Sequence, residues 1–343
     1  MNARRAPAAR QRGAALLLAM LTVTLVATFA AAALWQQWRS VEIEAAERAR
    51  VQSGWILTGA LDWSRLILRT DSFGGNVDHL GEPWAVPLEE SRLSTFLAAD
   101  KNNTGGQTNE DAFDAFLSGR IVDLQSRLNL ANLVESGKQS ESGTDAFVKL
   151  FELLGLPQNE LDALVANLVR AAPKLASDAD SAQEPIWPQR IEQLVGYGLS
   201  PATLEAIKPF VTMLPERTTV NVNTASAVVL AASEKDLSLP DAERLVAARA
   251  TRHFRSITEA SQVLGKEVGL FAGQQHGVAS KYFEVRGRLR IESITLEERS
   301  LVQREGAGVN MTVKTLSRQR TVFDDRALGT GTGADALTAI GRP

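Results

Sequence analysis

The residues best placed to do chemistry in this chain are carboxylates, because the usual nucleophiles and soft ligands are scarce. There is no cysteine, so disulfides, zinc–thiolate sites and thiol nucleophiles are excluded. The three histidines, His79, His253 and His276, are far apart in sequence and match no metal or triad spacing. No HExxH, GxSxG or phosphate-loop motif occurs. One loop imitates a calcium site: Asp100, Asn102 and Thr104 stand at positions 1, 3 and 5, Gly105 at 6 and Asp111 at 12. Such a loop needs a bidentate Glu at its end and helices on both sides. Here the flanks read as strands, so a solvated hairpin loop is the expectation. The pattern predicts a non-enzymatic chain.

The elements that must position these residues begin with the run Ala14 to Leu34, 21 residues without charge, Pro, Gly or amide. As a helix it spans about 31 Å, the thickness of a hydrocarbon core. Before it, Met1 to Gly13 carries Arg4, Arg5, Arg10 and Arg12 and no acid; behind it stand Trp35, Trp38 and Arg39. Basic residues stay cytoplasmic and Trp prefers the interface, so the N-terminus is expected inside and the bulk exported. Ala31 to Ala33 would suit a secretory cleavage site. Against that reading, the run exceeds a usual signal core and helical periodicity continues through Val41, Ala45, Ala49, Trp55, Leu57, Leu61 and Leu66. A helix unbroken to about Leu68 would be roughly 80 Å long.

Beyond it, Thr70–Trp84 reads as a Gly- and Asp-rich loop, and Ser91–Ala98 and Phe116–Leu130 as a strand pair. From Leu133 to about Lys281 the chain turns helical. Leu154-Gly-Leu-Pro157, Gly198-Leu-Ser-Pro201 and Leu237-Ser-Leu-Pro240 each precede a helix, near 158–171, 202–211 and 241–250. Val220-Asn-Val-Asn-Thr-Ala-Ser226 opens another, with Asn223 or Thr224 as the expected N-cap. Strand alternation returns from Tyr282 to Leu296 and continues through 297–305 and 309–322, with a turn at Gly306–Gly308. Asp324 to Pro343 is Gly/Thr/Ala-rich and expected to be disordered.

Arg10-Gln-Arg-Gly13-Ala14, a basic leader ending in Gly before an apolar helix, resembles the cleavage site of type IV prepilins and type II secretion pseudopilins. The resemblance implies that a prepilin peptidase cuts between Gly13 and Ala14 and that the new terminus is methylated. Most of that family carries Glu at the fifth mature position; here it is Leu18, as in the K-type minor pseudopilin thought to sit at the fibre tip. Glu82-Pro-Trp-Ala85 and Asp123-Leu-Gln-Ser-Arg-Leu-Asn-Leu-Ala-Asn-Leu133 are similar to K-type stretches, the latter with Ser126, Leu128 and Ala131 as departures. Asn221-Val-Asn-Thr-Ala225 is shared by K-type pseudopilins and helix-hairpin-helix DNA-binding modules.

The implied fold is α+β: a long N-terminal transmembrane and amphipathic helix, then a pilin-like antiparallel sheet head with a large inserted all-α domain. The expected parts are a leader (1–13), a transmembrane helix (14–34), its periplasmic continuation (35–70) and the first part of the β head (71–132). A helical insertion (133–280), the C-terminal strands (281–323) and the tail (324–343) follow. The implied function is a minor pseudopilin capping and priming the pseudopilus with I- and J-type partners, in the inner membrane. Without the leader's four arginines the mature chain carries a net charge of −7. Family members hold calcium through an Asp-Trp-Ile-Asp motif and an acidic loop. The aligned place here is Asn167-Leu-Val-Arg170, and only Asp178, Asp180 and Glu184 remain as local acids, so calcium is a weak expectation. The alternative is a membrane-anchored helix-hairpin-helix protein of DNA uptake, using Arg244, Arg249, Arg252 and Arg255. Its hairpin, Leu237–Pro240, lacks the Gly residues whose amides would approach phosphate, and the arginine run reads as a solvated face.

Overall fold

The structure is a computed structural model that describes residues 12–71, 75–93, 115–172, 186–265, 270–271, 273–291, 294–306 and 308–324. The chain divides into two compact units, Met1–Thr58 and Gly59–Pro343.

Helix α1 runs unbroken over Arg12–Asp71, so Gly54 and Gly59 do not interrupt it. Its first part is long and apolar enough to cross a membrane, a candidate anchor. Every described side chain from Ala15 to Arg48 is exposed. The threonines in the apolar run satisfy their hydroxyls within the helix: Thr22 donates to the Ala19 carbonyl (2.9 Å), Thr24 to that of Leu21 (2.9 Å) and Thr28 to that of Leu25 (2.8 Å). Nothing polar is then left for lipid to solvate.

In the second unit a five-stranded sheet has the order β1-β2-β9-β10-β11, antiparallel throughout. Its strands are β1 (Leu88–Arg92), β2 (Ala115–Asp123), β9 (Tyr282–Ile291), β10 (Ile294–Glu305) and β11 (Thr312–Asp324). The alternation read as one strand over Tyr282–Leu296 is therefore two strands, broken before Ile294. One face of the sheet covers the end of α1. Leu61 and Leu68 pack with Trp84, Ile121, Phe283, Val285, Val302 and Val313, and Trp84 meets Phe283 edge-on at 5.2 Å. Arg65 donates to the Val313 carbonyl through Nε (2.9 Å) and Nη2 (2.7 Å).

The strand expected to reach Leu130 stops at Asp123. The next residues form a 3-10 turn (Leu124–Ser126), a two-residue strand β3 (Leu128–Asn129) and a second 3-10 turn (Leu130–Leu133). The mixed spacing of Leu124, Leu128 and Leu130 reflects this change of conformation. Short strands β4 (Val134–Glu135) and β5 (Lys138–Gln139) form a hairpin. Among the described residues six helices follow: α2 (Glu141–Leu154), α3 (Gln158–Ala171), α4 (Pro201–Ile207), α5 (Ala227–Ser233), α6 (Leu239–Thr251) and α7 (Ile257–Val263). A 3-10 segment, Ile191–Tyr197, lies between α3 and α4. The segment returns to the sheet through parallel pairs of β3 with β6 (Val211–Thr212) and β7 (Val220–Asn221) with β8 (His276–Gly277). Its apolar core, including Phe147, Phe151, Leu164, Leu230 and Leu245, is separate from the core under the sheet.

Local chemistry explains these helices. Gly155 and Gly198 take positive φ (65° and 113°) just after α2 and the 3-10 segment, the left-handed stop that Gly allows. Ser200 and Ser238 then cap α4 and α6, each ahead of a Pro in the first turn. The cap expected at Asn223 or Thr224 is made instead by Ser226, whose Oγ accepts from the Val229 amide at 3.3 Å.

Candidate functional site

β2 leaves the sheet at Asp123, which lies opposite Phe283 of β9. Everything from Leu124 to Lys281 therefore departs and returns at neighbouring strand positions. A buried polar cluster closes this root.

Asp123 Oδ1 accepts from the Gln125 amide at 2.8 Å, capping the 3-10 turn. Its Oδ2 accepts from Thr224 Oγ1 (2.5 Å), Ser280 Oγ (2.7 Å) and Asn221 Nδ2 (3.3 Å). Asn221, fully buried, also donates to the Asp78 carbonyl (3.1 Å) and Ser280 Oγ (2.9 Å), and its Oδ1 accepts from the Asn223 amide (2.9 Å). The Asp78 carboxylate accepts from the Ser280 amide at 2.6 Å and takes Arg304 Nη2 on both oxygens at 2.5 Å. Arg304 further donates to the Ser280 carbonyl (2.9 Å) and Asp71 (3.4 Å), and stands 5.1 Å over the Phe283 ring. Gln125 completes the cluster, donating to the Thr219 carbonyl (3.0 Å) and accepting from the Lys281 amide (2.6 Å).

The two motifs noted in the sequence therefore meet: Asp123 and Gln125 belong to one, Asn221 and Thr224 to the other. Their remaining polar residues do similar work. Asn223 grips the backbone of Phe254, accepting from its N–H (2.8 Å) and donating to its carbonyl (2.9 Å). Asn129 and Asn132 hold the backbone at Glu216 and Thr218. Satisfied buried polar networks fix one arrangement, because any alternative leaves a group unpaired. Three members, Asp78, Ser280 and Arg304, lie in no motif.

Burial raises Asp123 to about 6, outweighing its hydrogen bonds from Thr224, Ser280 and Gln125. Asp71 also rises to about 6, first through burial, then through the charges of Glu82 and Asp78, against Arg304. Burial likewise raises Glu82 and lowers His79. The structure brings together two histidines distant in sequence, stacking His79 on His253 with centroids 3.8 Å apart and planes 8° apart.

Carboxylate oxygens of Asp71, Asp78 and Glu82 lie within 4.8 Å of one another, yet the donor set does not suit calcium. The Arg304 guanidinium already supplies the cation. Glu82 Oε2 is engaged by the His79 amide (2.9 Å) and the Trp84 indole (2.7 Å). Too few oxygens remain for a six- to eight-coordinate ion. The weak metal candidates Asp178, Asp180 and Glu184, and the loop from Asp100 to Asp111, lie outside the described residues. Asn167 donates to the Tyr197 carbonyl at 2.8 Å and accepts from Arg170, a structural tie between α3 and the 3-10 segment.

The arginines considered for DNA are largely engaged. Arg249 donates to the Val222 carbonyl at 2.6 Å, and burial lowers it to about 10. Arg252 pairs with Glu259 at 2.5 Å and Arg244 with Asp241 at 3.5 Å. Gly13 and Ala14 fall in the first turn of α1, and Leu18 is exposed on it.

Two family profiles, both described as type II secretion system protein K, match residues 126–216 and 220–279. Over these segments the chain is similar to the type II secretion system protein K family. Its members are minor pseudopilins, structural components of secretion. The matched segments together cover most of the described helical body, and Gln125 and Ser280 flank them. Curated relatives agree. Type II secretion system protein K of Pseudomonas aeruginosa is 28% identical over 325 residues, covering 85% of this chain and 87% of the relative. That of Klebsiella pneumoniae is 25% identical over 324 residues, covering 87% and 94%. The fold is similar to a chain in the crystal structure of the GspK–GspI–GspJ complex of the enterotoxigenic Escherichia coli Type 2 Secretion System. That match has a TM-score of 0.59 at 18% identity and covers 80% of this chain and 98% of that one.

Proposed function

We propose that this minor pseudopilin ends the type II secretion pseudopilus at its tip and primes assembly together with I- and J-type minor pseudopilins. In this reading it sits in the inner membrane with its N-terminus cytoplasmic, is cut between Gly13 and Ala14 by the prepilin peptidase, and is methylated there. The observation that carries the reading is Leu18. A carboxylate at that position would neutralise the terminal amine of a subunit ahead, and an unpaired carboxylate in an apolar environment is costly. A subunit with leucine there has no such amine to meet. The partners in the solved GspK–GspI–GspJ complex support the I- and J-type assignment.

Mass spectrometry of the N-terminus from cells with and without the peptidase tests the processing step. A mature chain starting at a methylated Ala14 only when the peptidase is present is the expected result; trimming after Ala33 would refute it. For the tip, cells lacking this protein should form fewer or unbounded fibres. Fibres with this chain along their whole length would refute a terminal position.

A further inference from the structure

The face of the sheet away from Leu61 and Leu68 carries a row of like charges. Register places Arg120 of β2 opposite Arg286 of β9, and Arg286 opposite Arg299 of β10. Alternation puts Arg288 and Arg290 on the same face of β9. Like charges directly opposite one another destabilise a sheet. Part of that repulsion is offset within the chain: Glu284 pairs with Arg286, Glu297 with Arg299 at 2.5 Å and Glu90 with Arg290 at 2.7 Å, while Glu297 also stands opposite Arg288. Among the described residues Arg120 has no ion-pair partner, nor does Arg127, whose charged form is opposed first by burial and then by Arg286 and Arg120, against Glu284. Burial, then Arg286, works against the charged form of Arg120. At one end of the face Arg290 lies 4.2 Å from the centroid of Phe116, a cation–π contact that holds the guanidinium in place.

We propose that this face docks an acidic helix of a protein partner, with its carboxylates seated on Arg120 and its neighbours. Adjacent strands are about 4.8 Å apart, close to the 5–6 Å between side chains at i and i+3 or i+4 on a helix. Guanidinium groups take carboxylates bidentately. Glu284 and Glu297 stand between the arginines, so a uniformly anionic surface would be repelled at those points while discrete carboxylates would not. The partner's charge would relieve a repulsion the chain carries alone.

The test uses the full chain in neutral detergent micelles and a fluorescent helical peptide with Glu at successive i, i+4 positions. A Gln version of the peptide and phosphatidylglycerol-containing vesicles are the comparison probes. The Glu peptide should bind in a salt-sensitive way. Arg120→Gln with Arg127→Gln should weaken it about tenfold or more, while Arg244→Gln on α6 leaves it unchanged. Arg120→Gln with Arg288→Gln serves as a second variant that spares the packing of the Arg127 stem. Thermal unfolding should show little loss of stability in that variant, since relief of the Arg120–Arg286 repulsion offsets the loss of the Arg288–Glu297 cross-strand pair. Equal binding of the Gln peptide, unchanged affinity in both double variants, or binding of vesicles in place of the peptide would each overturn the proposal.

Discussion

Arg304 is the residue on which the root of the helical segment depends most. It is 8% exposed and neutralises Asp78, which is 1% exposed, while reaching Asp71. Replacing it by methionine keeps the apolar stem over Phe283 but leaves two buried carboxylates without a cation. Removing one partner of a buried pair costs about 3–5 kcal/mol, so Arg304→Met should lower the thermal midpoint sharply near neutral pH and less below about pH 6, where Asp71 is protonated. Asp123 makes a separate, signed prediction. Its folded value of about 6 exceeds the ordinary 3.8, so the protonated form favours the fold. That contribution is complete below about pH 4 and is lost as pH rises through about 6. The loss from this group is on the order of 2–3 kcal/mol. Asp123→Asn should flatten this part of the pH–stability curve, measured by chemical denaturation at several pH values. Asp123 and Asn221 stand in motifs that the sequence shows, but their pairing with one another and with Asp78, Ser280 and Arg304 was not legible there. Asp78, Asp123, Asn221, Ser280 and Arg304 are scattered along the chain, and each alone looks like an ordinary loop or strand residue. Only tertiary packing makes them partners, as it does for His79 and His253.

At the scale of elements, local rules succeeded where they had no competitor. The apolar run, the Gly stops and the Ser-Pro starts predict helices that the structure contains, because capping and left-handed Gly are decided within a few residues. The rule failed at Asn223. Neither expected cap is free to serve, because Phe254, 31 residues away, holds the Asn223 side chain and Asp123 holds the Thr224 hydroxyl, so Ser226 caps the helix. The end of β2 was misread for a similar reason: Asp123 can cap a turn only because Thr224 and Ser280 hold its second oxygen. Gly59 offers a test of α1. A Cβ added there meets nothing within 4 Å, and Gly inside a helix costs about 0.5–1 kcal/mol relative to Ala. Gly59→Ala should therefore raise the unfolding free energy by about that increment and move the unfolding midpoint upward, seen by circular dichroism. A tight contact at that position would instead lower it.

Among the described residues of the second unit, the sheet's own core draws on residues before Leu124 and after Tyr282, while a small cluster of Leu124, Leu214 and Tyr282 with Leu301 joins the sheet to the helical body. Replacing residues 124–282 by Asn-Gly, a turn suited to adjacent antiparallel strands, is expected to leave a folded sheet with α1 packed on it. Backbone amide resonances with strand-like dispersion would bear this out; a collapsed spectrum would show that the helical body is needed to fold the sheet. Register pairs β2 with β9 from Ala115↔Ile291 to Asp123↔Phe283. That ladder bridges the two ends of the long excursion, with a mechanical consequence. Traction applied to the strands is carried across from β2 to β9 by their hydrogen bonds, and the helical body is shunted rather than stretched. It can rest against a barrier or a neighbour while the strain of an extending fibre passes it by.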